Sequence, residues 1–447
     1  MALELTVIGG GLAGCEAALK AAELGVTVTL IDMKPAEFSP AHKSPLLGEL
    51  VCSNSLRSAD PFSAVGLLKV EMSLIGSAVM KAAKATAVPA GKALAVDREG
   101  FARFLDDAVS ASPLIQRQFQ RVDKLPPASQ GLTIIATGPL TADALAQDLD
   151  SLTGSQGLHF YDAIAPIVTL ESVDLRKAFW ADRYGVGTGD YLNCPLSEDE
   201  YRVFYQALLN SEQVPLHDFE SPKFFEGCLP VEVLAARGEK TLLFGPMKPV
   251  GLTDPRTGER PFAVVQLRKE DKHGRLLNLV GFQTKLTYSS QKKVFRLIPA
   301  LARAEFARLG SIHRNTFIDA PRVLGPDLRL LNAPHIFIAG QLSGVEGYVE
   351  SSAMGLLAGL NASRLLKGLE LFTPPVTTAL GGLVSHLQNR ETKNFQPSNV
   401  NFGLLPPLGK KLRKKDRGRA LARRALADLM AQISVRGMIP AEKTPEI

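Results

Sequence analysis

The sequence predicts an α/β protein in which a discontinuous Rossmann-type domain is interrupted by an inserted α+β domain with a mainly antiparallel sheet. Three observations predict this fold: a βαβ pattern at the start of the chain, a change of texture between residues 166 and 314, and a return of buried-strand character near residue 335. The chain has 447 residues, which favours two domains or one large domain with an insertion.

The βαβ pattern carries a glycine-rich turn. An apolar strand over 3–8 precedes GGGLAG, a helix follows to about residue 24, and a second strand over 26–31 ends at Asp32. Glycines at this spacing permit a tight turn, close approach of a pyrophosphate and helix–strand packing, and the helix N-terminus favours phosphate. The acid after the second strand suits an adenosine ribose. The residues predicted to contact a dinucleotide here are Gly9, Gly10, Gly11, Leu12, Ala13, Gly14, Asp32, Met33 and Lys34.

The middle of the chain is predicted to contain a helix, a buried strand and an antiparallel sheet. Asp60 and Pro61 predict the start of a helix over 62–84, and residues 133–136 predict a buried strand that ends before Gly138. Four β-like runs then predict the antiparallel sheet. They cover residues 161–170, 240–246, 262–267 and 277–284.

The last part returns to the first domain. A strand over 335–340 ends in Gly340 and Gln341, and a helix is predicted over 348–366. A glycine-rich turn alone fits FAD, NAD or a turn that binds nothing. The N-terminal position of the turn and this late strand favour FAD, because they resemble flavoproteins of the two-dinucleotide type. Gly138, Gly340, Gln341, Glu346, Gly347 and Tyr348 complete the predicted cofactor set, with Tyr348 either stacking near a ligand or packing its helix.

The predicted organisation therefore has four parts. Residues 1–165 and 315–409 form the two halves of the FAD-binding domain, residues 166–314 form the inserted domain, and residues 410–447 form a basic helical tail. Nine of the fifteen residues from 410 to 424 are Lys or Arg, which suits either phosphate contacts or a solvated helix face.

Bulk composition sets the class of protein. The formal net charge of +6 fits a polyanionic partner without requiring one. The four cysteines are far apart and form no C-x-x-C, which indicates a reduced, intracellular protein without a zinc site. There is no signal peptide and no run of eighteen apolar residues, so we expect a cytoplasmic protein with no membrane partner.

Two cysteines are candidate nucleophiles. Cys52 lies in a polar segment ahead of a helix, with Lys43 and Arg57 nearby in sequence, and Cys228 lies between Gly227 and Pro230 in an expected exposed turn. Cys15 and Cys194 are expected to be structural, and the alternative for all four is a small buried side chain.

Long polar segments across nearly the whole chain resemble the folate- and FAD-dependent tRNA (uracil-5-)methyltransferases, the TrmFO family, a smaller relative of GidA (MnmG). These segments include SPAHKSPLLGELVCSNSLRS, VPAGKALAVDR, DYLNCPLSEDEY, FEGCLPVEV, IAGQLSGVEGYVES and FQPSNVNFGLLPPL. One departure is Ile31-Asp32-Met33-Lys34, where the family pattern has an aromatic residue and Glu, then Met and Arg.

The resemblance implies methylation of C5 of a T-loop uridine in tRNA. It implies FAD, 5,10-methylenetetrahydrofolate as carbon donor, and NADH or NADPH as reductant of the flavin, with tetrahydrofolate as product. Cys52 is then the nucleophile at uracil C6 and Cys228 its partner, or the reverse. Five polar residues in resembling segments are candidates to bind folate or RNA or to be solvated: Lys285, Lys292, His313, Arg314 and Asn315.

Two other functions stay open at this point. One is a wobble-uridine modifier of the GidA type, for which the chain is short. The other is an FAD-containing RNA-binding protein without methyl transfer, against which the two candidate thiols argue.

Overall fold

The computed structural model describes residues 3–154, 158–185, 188–215, 229–392, 395–409 and 412–436. Its strands are β1 Glu4–Ile8, β2 Thr27–Asp32, β3 Ser55–Ser58, β4 Ala87–Val88, β5 Ala93–Val96, β6 Ile115–Phe119, β7 Leu132–Ile135, β8 Leu158–Ala163, β9 Ile167–Thr169, β10 Phe179–Trp180, β11 Tyr191–Leu196, β12 Ala263–Lys269, β13 Leu276–Leu279, β14 Phe306–Arg308, β15 Ile312–Phe317 and β16 Ile336–Ile338. Its helices are α1 Leu12–Glu23, α2 Ala64–Leu74, α3 Ala78–Ala85, α4 Arg98–Ala111, α5 Asp143–Thr153, α6 Glu198–Leu209, α7 Val231–Ala236, α8 Thr241–Phe244, α9 Tyr288–Phe295, α10 Ala320–Val323, α11 Tyr348–Leu366, α12 Ala379–Leu387 and α13 Lys414–Val435.

A parallel sheet in the order β16-β7-β1-β2-β6 is the centre of the dinucleotide-binding part. The predicted βαβ start and the late strand are confirmed, and β16 from the second half pairs directly with β7 from the first. Because the carboxyl ends of parallel strands meet at one edge, the turns after β1, β2, β7 and β16 converge there.

Helices α1 and α11 pack very closely on this sheet. A Cβ at Gly355 would lie 2.2 Å from the carbonyl oxygen of Ala13, and one at Gly359 would lie 2.5 Å from that of Ala17. Only glycine permits this approach, so the first helix of the chain and the last long helix of the predicted domain are fixed to each other.

The antiparallel sheet of the inserted part has the order β10-β11-β12-β13-β9-β14. A β15–β8 pair joins it to the first part, and β3, β5 and β4 form a small antiparallel sheet beside it. This confirms the predicted antiparallel character of the insertion.

The described residues form two large apolar cores. One draws on residues 5–149 and 317–433, and the other on residues 168–304. This separation supports the domain division given above, which we retain as a proposal.

Two predicted elements were wrong. The single helix over 62–84 is two helices, α2 and α3, because Gly76 has a positive φ of 92° and Ser77 caps α3 by accepting from the Met80 N–H. Buried Glu16 also accepts from N–H groups of that helix start. The run over 240–246 is not a strand, since Thr241–Phe244 form the short helix α8 before Gly245.

The C-terminal basic segment is part of the first core. Helix α13 buries a row of apolar residues against that core, namely Ala422, Ala425, Leu426, Leu429 and Ile433. Its exposed face carries Arg417, Arg419 and Arg423, with the Arg419 guanidinium 4.7 Å from the centre of the Phe62 ring. No helix within the described residues is long and apolar enough to cross a membrane.

Candidate active site

The glycine-rich turn has the geometry that a pyrophosphate needs. Gly9 has a φ of +105°, and a Cβ there would lie 2.4 Å from the Ala136 carbonyl oxygen. A Cβ at Gly14 would lie 1.7 Å from the Gly9 carbonyl oxygen. At Gly11, by contrast, no protein atom lies within 4 Å of that position, and α1 begins at Leu12 without a side-chain cap. The open space therefore faces uncapped N–H groups, which favours a bound anion.

Asp32 and Lys34 support this turn from the end of β2. The Asp32 carboxylate accepts from the Gly10 N–H at 2.5 Å and from the Lys34 N–H at 2.8 Å. The buried Lys34 ammonium donates to the Leu46 carbonyl and lies 3.9 Å from the Glu49 carboxylate. Lys34 was predicted to contact the dinucleotide; in the structure its ammonium group binds the loop that precedes Cys52.

A cleft runs along the carboxyl edge of the parallel sheet. Both halves of the predicted cofactor set line it: Gly9, Gly11, Leu12, Ala13, Asp32, Met33, Lys34, Gly138, Gly340, Gln341 and Tyr348. Gly10 and Gly14 lie behind this lining, where Gly10 packs against Leu47 and Gly14 against Gly9. Glu346 and Gly347 follow at the start of α11.

Several cleft residues were missed by the sequence analysis. The main group is Ser39, His42, Glu49, Val51, Gln120, Arg121, Val122, Thr141 and Leu145. Gln120 to Val122 follow β6, whose sequence IQRQF lacks the apolar pattern of a buried strand. Recognition of β6 as a parallel strand would have pointed to them, since ligands bind at the carboxyl ends of such strands.

The loop that carries Cys52 is held from three sides. The Tyr348 hydroxyl accepts the Cys52 N–H at 2.6 Å and the Ser53 N–H at 3.2 Å. Arg268 on β12 donates to the Ser53 hydroxyl at 2.7 Å, and Arg98 donates to the Leu50 carbonyl. Tyr348 also lines the cleft, so the thiol loop and the cleft share one side chain.

Electrostatics around Cys52 differ from the sequence expectation. Arg57 forms an ion pair with Glu350 on α11, and the cations that act most on the Cys52 thiol are Arg98 and Arg308 instead. Burial raises the pKa of the Cys52 thiol to about 12, Asp162 adds to the increase, and Arg98 and Arg308 act in the opposite direction. The thiol is therefore protonated at neutral pH in this conformation, with two arginines in place to favour the thiolate.

An acid lies at the start of α11. The buried Glu346 carboxyl accepts from the Gln341 side-chain amide. Burial raises its pKa well above the usual range, and the carboxylates of Asp162 and Glu350 add to the increase. Burial therefore favours the protonated form of this carboxyl, which is hydrogen-bonded to Gln341 of the cleft lining and acts electrostatically on Cys52.

The remaining candidates lie apart from this loop or outside the described residues. Cys228 falls in 216–228, which the structure does not describe. Cys15 and Cys194 are fully buried, in line with the structural expectation. Asn315 is buried, Lys292 is exposed, and burial lowers the pKa of His313, whose ring is 2.9 Å from the Ser311 hydroxyl. Among the described residues, no cluster of His, Cys, Asp or Glu fits a metal ion.

Comparison with known proteins places this geometry in a family. The family model described as Glucose inhibited division protein A matches residues 4–370. The chain is 57% identical over 427 residues to the methylenetetrahydrofolate–tRNA-(uracil-5-)-methyltransferase TrmFO of Geotalea daltonii, covering 95% of this chain and 97% of that relative. The TrmFO of Geobacter sulfurreducens is 58% identical over 426 residues, covering 95% and 98%.

The fold has its counterpart in a solved structure. GidA of Aquifex aeolicus superposes with a TM-score of 0.72 at 15% identity, over 99% of this chain and 77% of that one. The fold and the cleft thus define a dinucleotide-binding α/β protein of the GidA architecture. Within that class, the chain belongs to the GidA family and to its TrmFO branch.

Proposed function

We propose that this protein methylates C5 of a T-loop uridine in tRNA, with 5,10-methylenetetrahydrofolate as carbon donor and reduced FAD as reductant. NADH or NADPH reduces the flavin, and tetrahydrofolate is released. The main structural support is Tyr348, which lines the dinucleotide cleft and also binds the backbone of the Cys52 loop. The relatives at 57–58% identity bear the name of this reaction.

The cleft fits FAD. Gly11 and the start of α1 would receive the pyrophosphate, Asp32 the adenosine ribose, and Gly340 with the start of α11 the flavin end. When bound, FAD supplies the redox chemistry of the methyl transfer, which no side chain provides. The protein positions the reactants and excludes water.

Cys52 is the proposed nucleophile at uracil C6. Addition of a thiolate there makes C5 nucleophilic, and elimination of the thiolate later restores the ring. The Tyr348 and Arg268 hydrogen bonds fix the loop, while Arg98 and Arg308 favour the thiolate against the effect of burial. Cys228 is the proposed base at C5, and the two thiols exchange roles in the alternative assignment.

The partners follow from the reaction. The tRNA substrate would contact the basic face of α13, where Arg417 and Arg423 are exposed. A uridine inside a folded tRNA must leave its stack to reach a cleft of this kind. We also propose a cytoplasmic location, where tRNA and reduced folates are available.

One assay tests the proposal. The purified protein is examined for a flavin spectrum and incubated with unmodified tRNA, methylenetetrahydrofolate and NAD(P)H, and the RNA is digested. We expect 5-methyluridine in the T loop only when the folate is present. Modification at the wobble position instead would favour the GidA-type reaction. That alternative is supported by the fold that this chain shares with GidA. A yellow protein that binds tRNA but modifies nothing would contradict both.

A further inference from the structure

The chain has one tryptophan, and it is exposed on the inserted domain. Trp180 lies on β10, at the edge of the antiparallel sheet, with 38% of its surface accessible. The Lys269 ammonium lies 4.9 Å from the centre of its ring. An open indole beside a cation is a surface on which a nucleic-acid base can stack while its phosphate is neutralised.

Lys269 connects this ring to the thiol loop. Its backbone carbonyl accepts from the Asn54 side-chain amide at 2.9 Å, and Asn54 stands two residues after Cys52. The Asn54 side chain also receives a hydrogen bond from Arg268 at 3.0 Å. Lys269 and Asn54 therefore link the position of Trp180 to the segment that carries the proposed nucleophile.

The loop after Lys269 adds positive charge. A Cβ at Gly274 would lie 3.3 Å from the Lys269 side chain, so the lysine stem packs on this loop. Lys272 and Arg275 are exposed there. The Arg275 guanidinium lies 3.9 Å from the carboxylate of Asp271, which also accepts from backbone N–H groups of the same loop.

The other carboxylates near Trp180 and Lys269 already have hydrogen-bond or ion-pair partners within the protein. Glu270 is buried and pairs with Arg98 at 2.5 Å. Asp190 accepts from the Gly91 N–H at 2.6 Å, and Asp182 accepts from the Gly189 N–H at 2.7 Å. Because Asp271 is paired with Arg275, the net positive charge at this surface comes from Lys269 and Lys272, and it favours a polyanionic partner.

We propose that Trp180 and Lys269 form a nucleotide-stacking site for an unstacked base of the tRNA that neighbours the target uridine, with Lys272 and Arg275 binding its phosphates. The inference rests on the proposed function, since it concerns the same RNA substrate. A base-flipping enzyme gains from such a site, because a neighbouring base that is held outside the stack lowers the cost of extracting the uridine.

The single tryptophan makes the test direct. Unmodified tRNA is titrated into the holoenzyme while Trp180 emission is recorded, and we expect saturable quenching. Trp180→Ala should raise the Kd and the KM for tRNA by about 5- to 150-fold, the range of one lost stacking contact, with the kcat at saturating tRNA largely kept. Trp180→Phe should recover much of the affinity, because it restores an aromatic face.

Two further variants complete the design. Lys269→Ala keeps the backbone carbonyl that binds Asn54, so it should weaken tRNA binding without displacing the Cys52 loop. Tyr288→Ala removes another exposed aromatic ring, 62% accessible on α9, and should leave Kd and KM unchanged. The flavin content and melting temperature of each variant establish that it is folded.

The outcomes separate the inference from the function on which it rests. Methylation that proceeds with unquenched Trp180 emission and a wild-type KM in folded Trp180→Ala would overturn the stacking site alone. Wild-type protein that neither binds nor methylates tRNA would overturn the proposed function and the inference together. An equal loss in Tyr288→Ala and Trp180→Ala would also contradict a specific site at Trp180.

Discussion

The hydroxyl of Tyr348 lies 2.6 Å from the backbone nitrogen of Cys52 and accepts its N–H, although 296 residues separate the two in sequence. The same oxygen accepts the Ser53 N–H at 3.2 Å. This contact joins the second half of the cleft to the thiol loop of the first half.

Replacement Tyr348→Phe removes the acceptor of two backbone N–H groups. A buried donor without its partner costs about 1–3 kcal/mol, so the loop should shift and kcat should fall by roughly 10- to 100-fold. The flavin content should stay near wild type, because the ring remains in the cleft. Single-turnover methylation assays check this, and wild-type kcat in a folded, yellow Tyr348→Phe variant would contradict the proposed role of the hydroxyl.

Replacement Cys52→Ser tests the nucleophile. We expect methyl transfer to fall by at least about 1000-fold, because a serine hydroxyl is a far weaker nucleophile than a thiolate. FAD binding and the melting temperature should stay near wild type. Cys194→Ser on the buried β11 strand is the matched control and should keep activity if the variant folds. A Cys52→Ser variant that methylates at the wild-type rate would show that Cys52 is not the nucleophile.

Gly11 offers a test of the pyrophosphate site that is independent of folding. A Cβ at Gly11 meets no protein atom within 4 Å, so Gly11→Ala should fold with an unchanged melting temperature in the apoprotein. FAD affinity should nevertheless fall, since the methyl group occupies space for the ligand. Gly409→Ala is the control, because its Cβ also meets nothing and the residue lies far along the chain from the turn. Equal FAD affinity in both variants would contradict the predicted position.

Glu16 makes stability depend on pH. Burial raises its pKa from 4.5 to about 7, and its carboxylate accepts from the Ala78 and Val79 N–H groups. Between about pH 4.5 and 7 the folded state holds more protons than the unfolded chain, so the free energy of unfolding falls as pH rises through this window.

Glu16→Gln should therefore lose less stability than wild type between pH 5 and pH 8, by roughly 2 °C or more in Tm. Glu71, whose pKa burial also raises to about 7, should behave in the same way when replaced by Gln. Melting curves at the two pH values test this. The same change of Tm with pH in wild type and both variants would show that Glu16 and Glu71 do not cause the pH dependence.

The basic face of α13 is tested by charge reversal, since deletion of the helix would uncover the apolar core against which it packs. Arg417→Glu with Arg423→Glu should weaken tRNA binding and reduce the slope of log Kd against log salt by about 2, if each contacts one phosphate. The melting temperature should change little. Unchanged affinity at both about 50 and 200 mM salt would show that this face is only solvated.

The fold was largely predictable because the strongest signals are local. The βαβ start, Asp32 at the end of β2 and the helix from Tyr348 to Leu366 all follow from short-range patterns, and the structure confirms them. The break at Gly76 had a local signal in Gly-Ser, but the continuous apolar pattern on either side outweighed it. The helix α8 was misread because a short apolar run fits a strand or a buried helix equally well.

The site was predictable only in part, because its geometry depends on long-range contacts. The sequence grouped Cys52 with Arg57, whereas the folded chain pairs Arg57 with Glu350 and brings Arg98 and Arg308 to the thiol. Those arginines lie on α4 and β14, far from Cys52 in sequence. Nothing in local patterning indicates such neighbours, which are set by how the inserted sheet packs on the loop.

The close contact of α1 with α11 has a consequence for synthesis on the ribosome. Helix α1 cannot complete its packing until Gly355 and Gly359 have left the exit tunnel. At about 5–20 residues per second, the first helix waits on the order of 20–70 s for its partner. The core residues of the inserted domain all lie within 168–304, so they have all been synthesised before Gly355 and Gly359. The nascent chain therefore exposes its nucleotide-binding start while its middle folds.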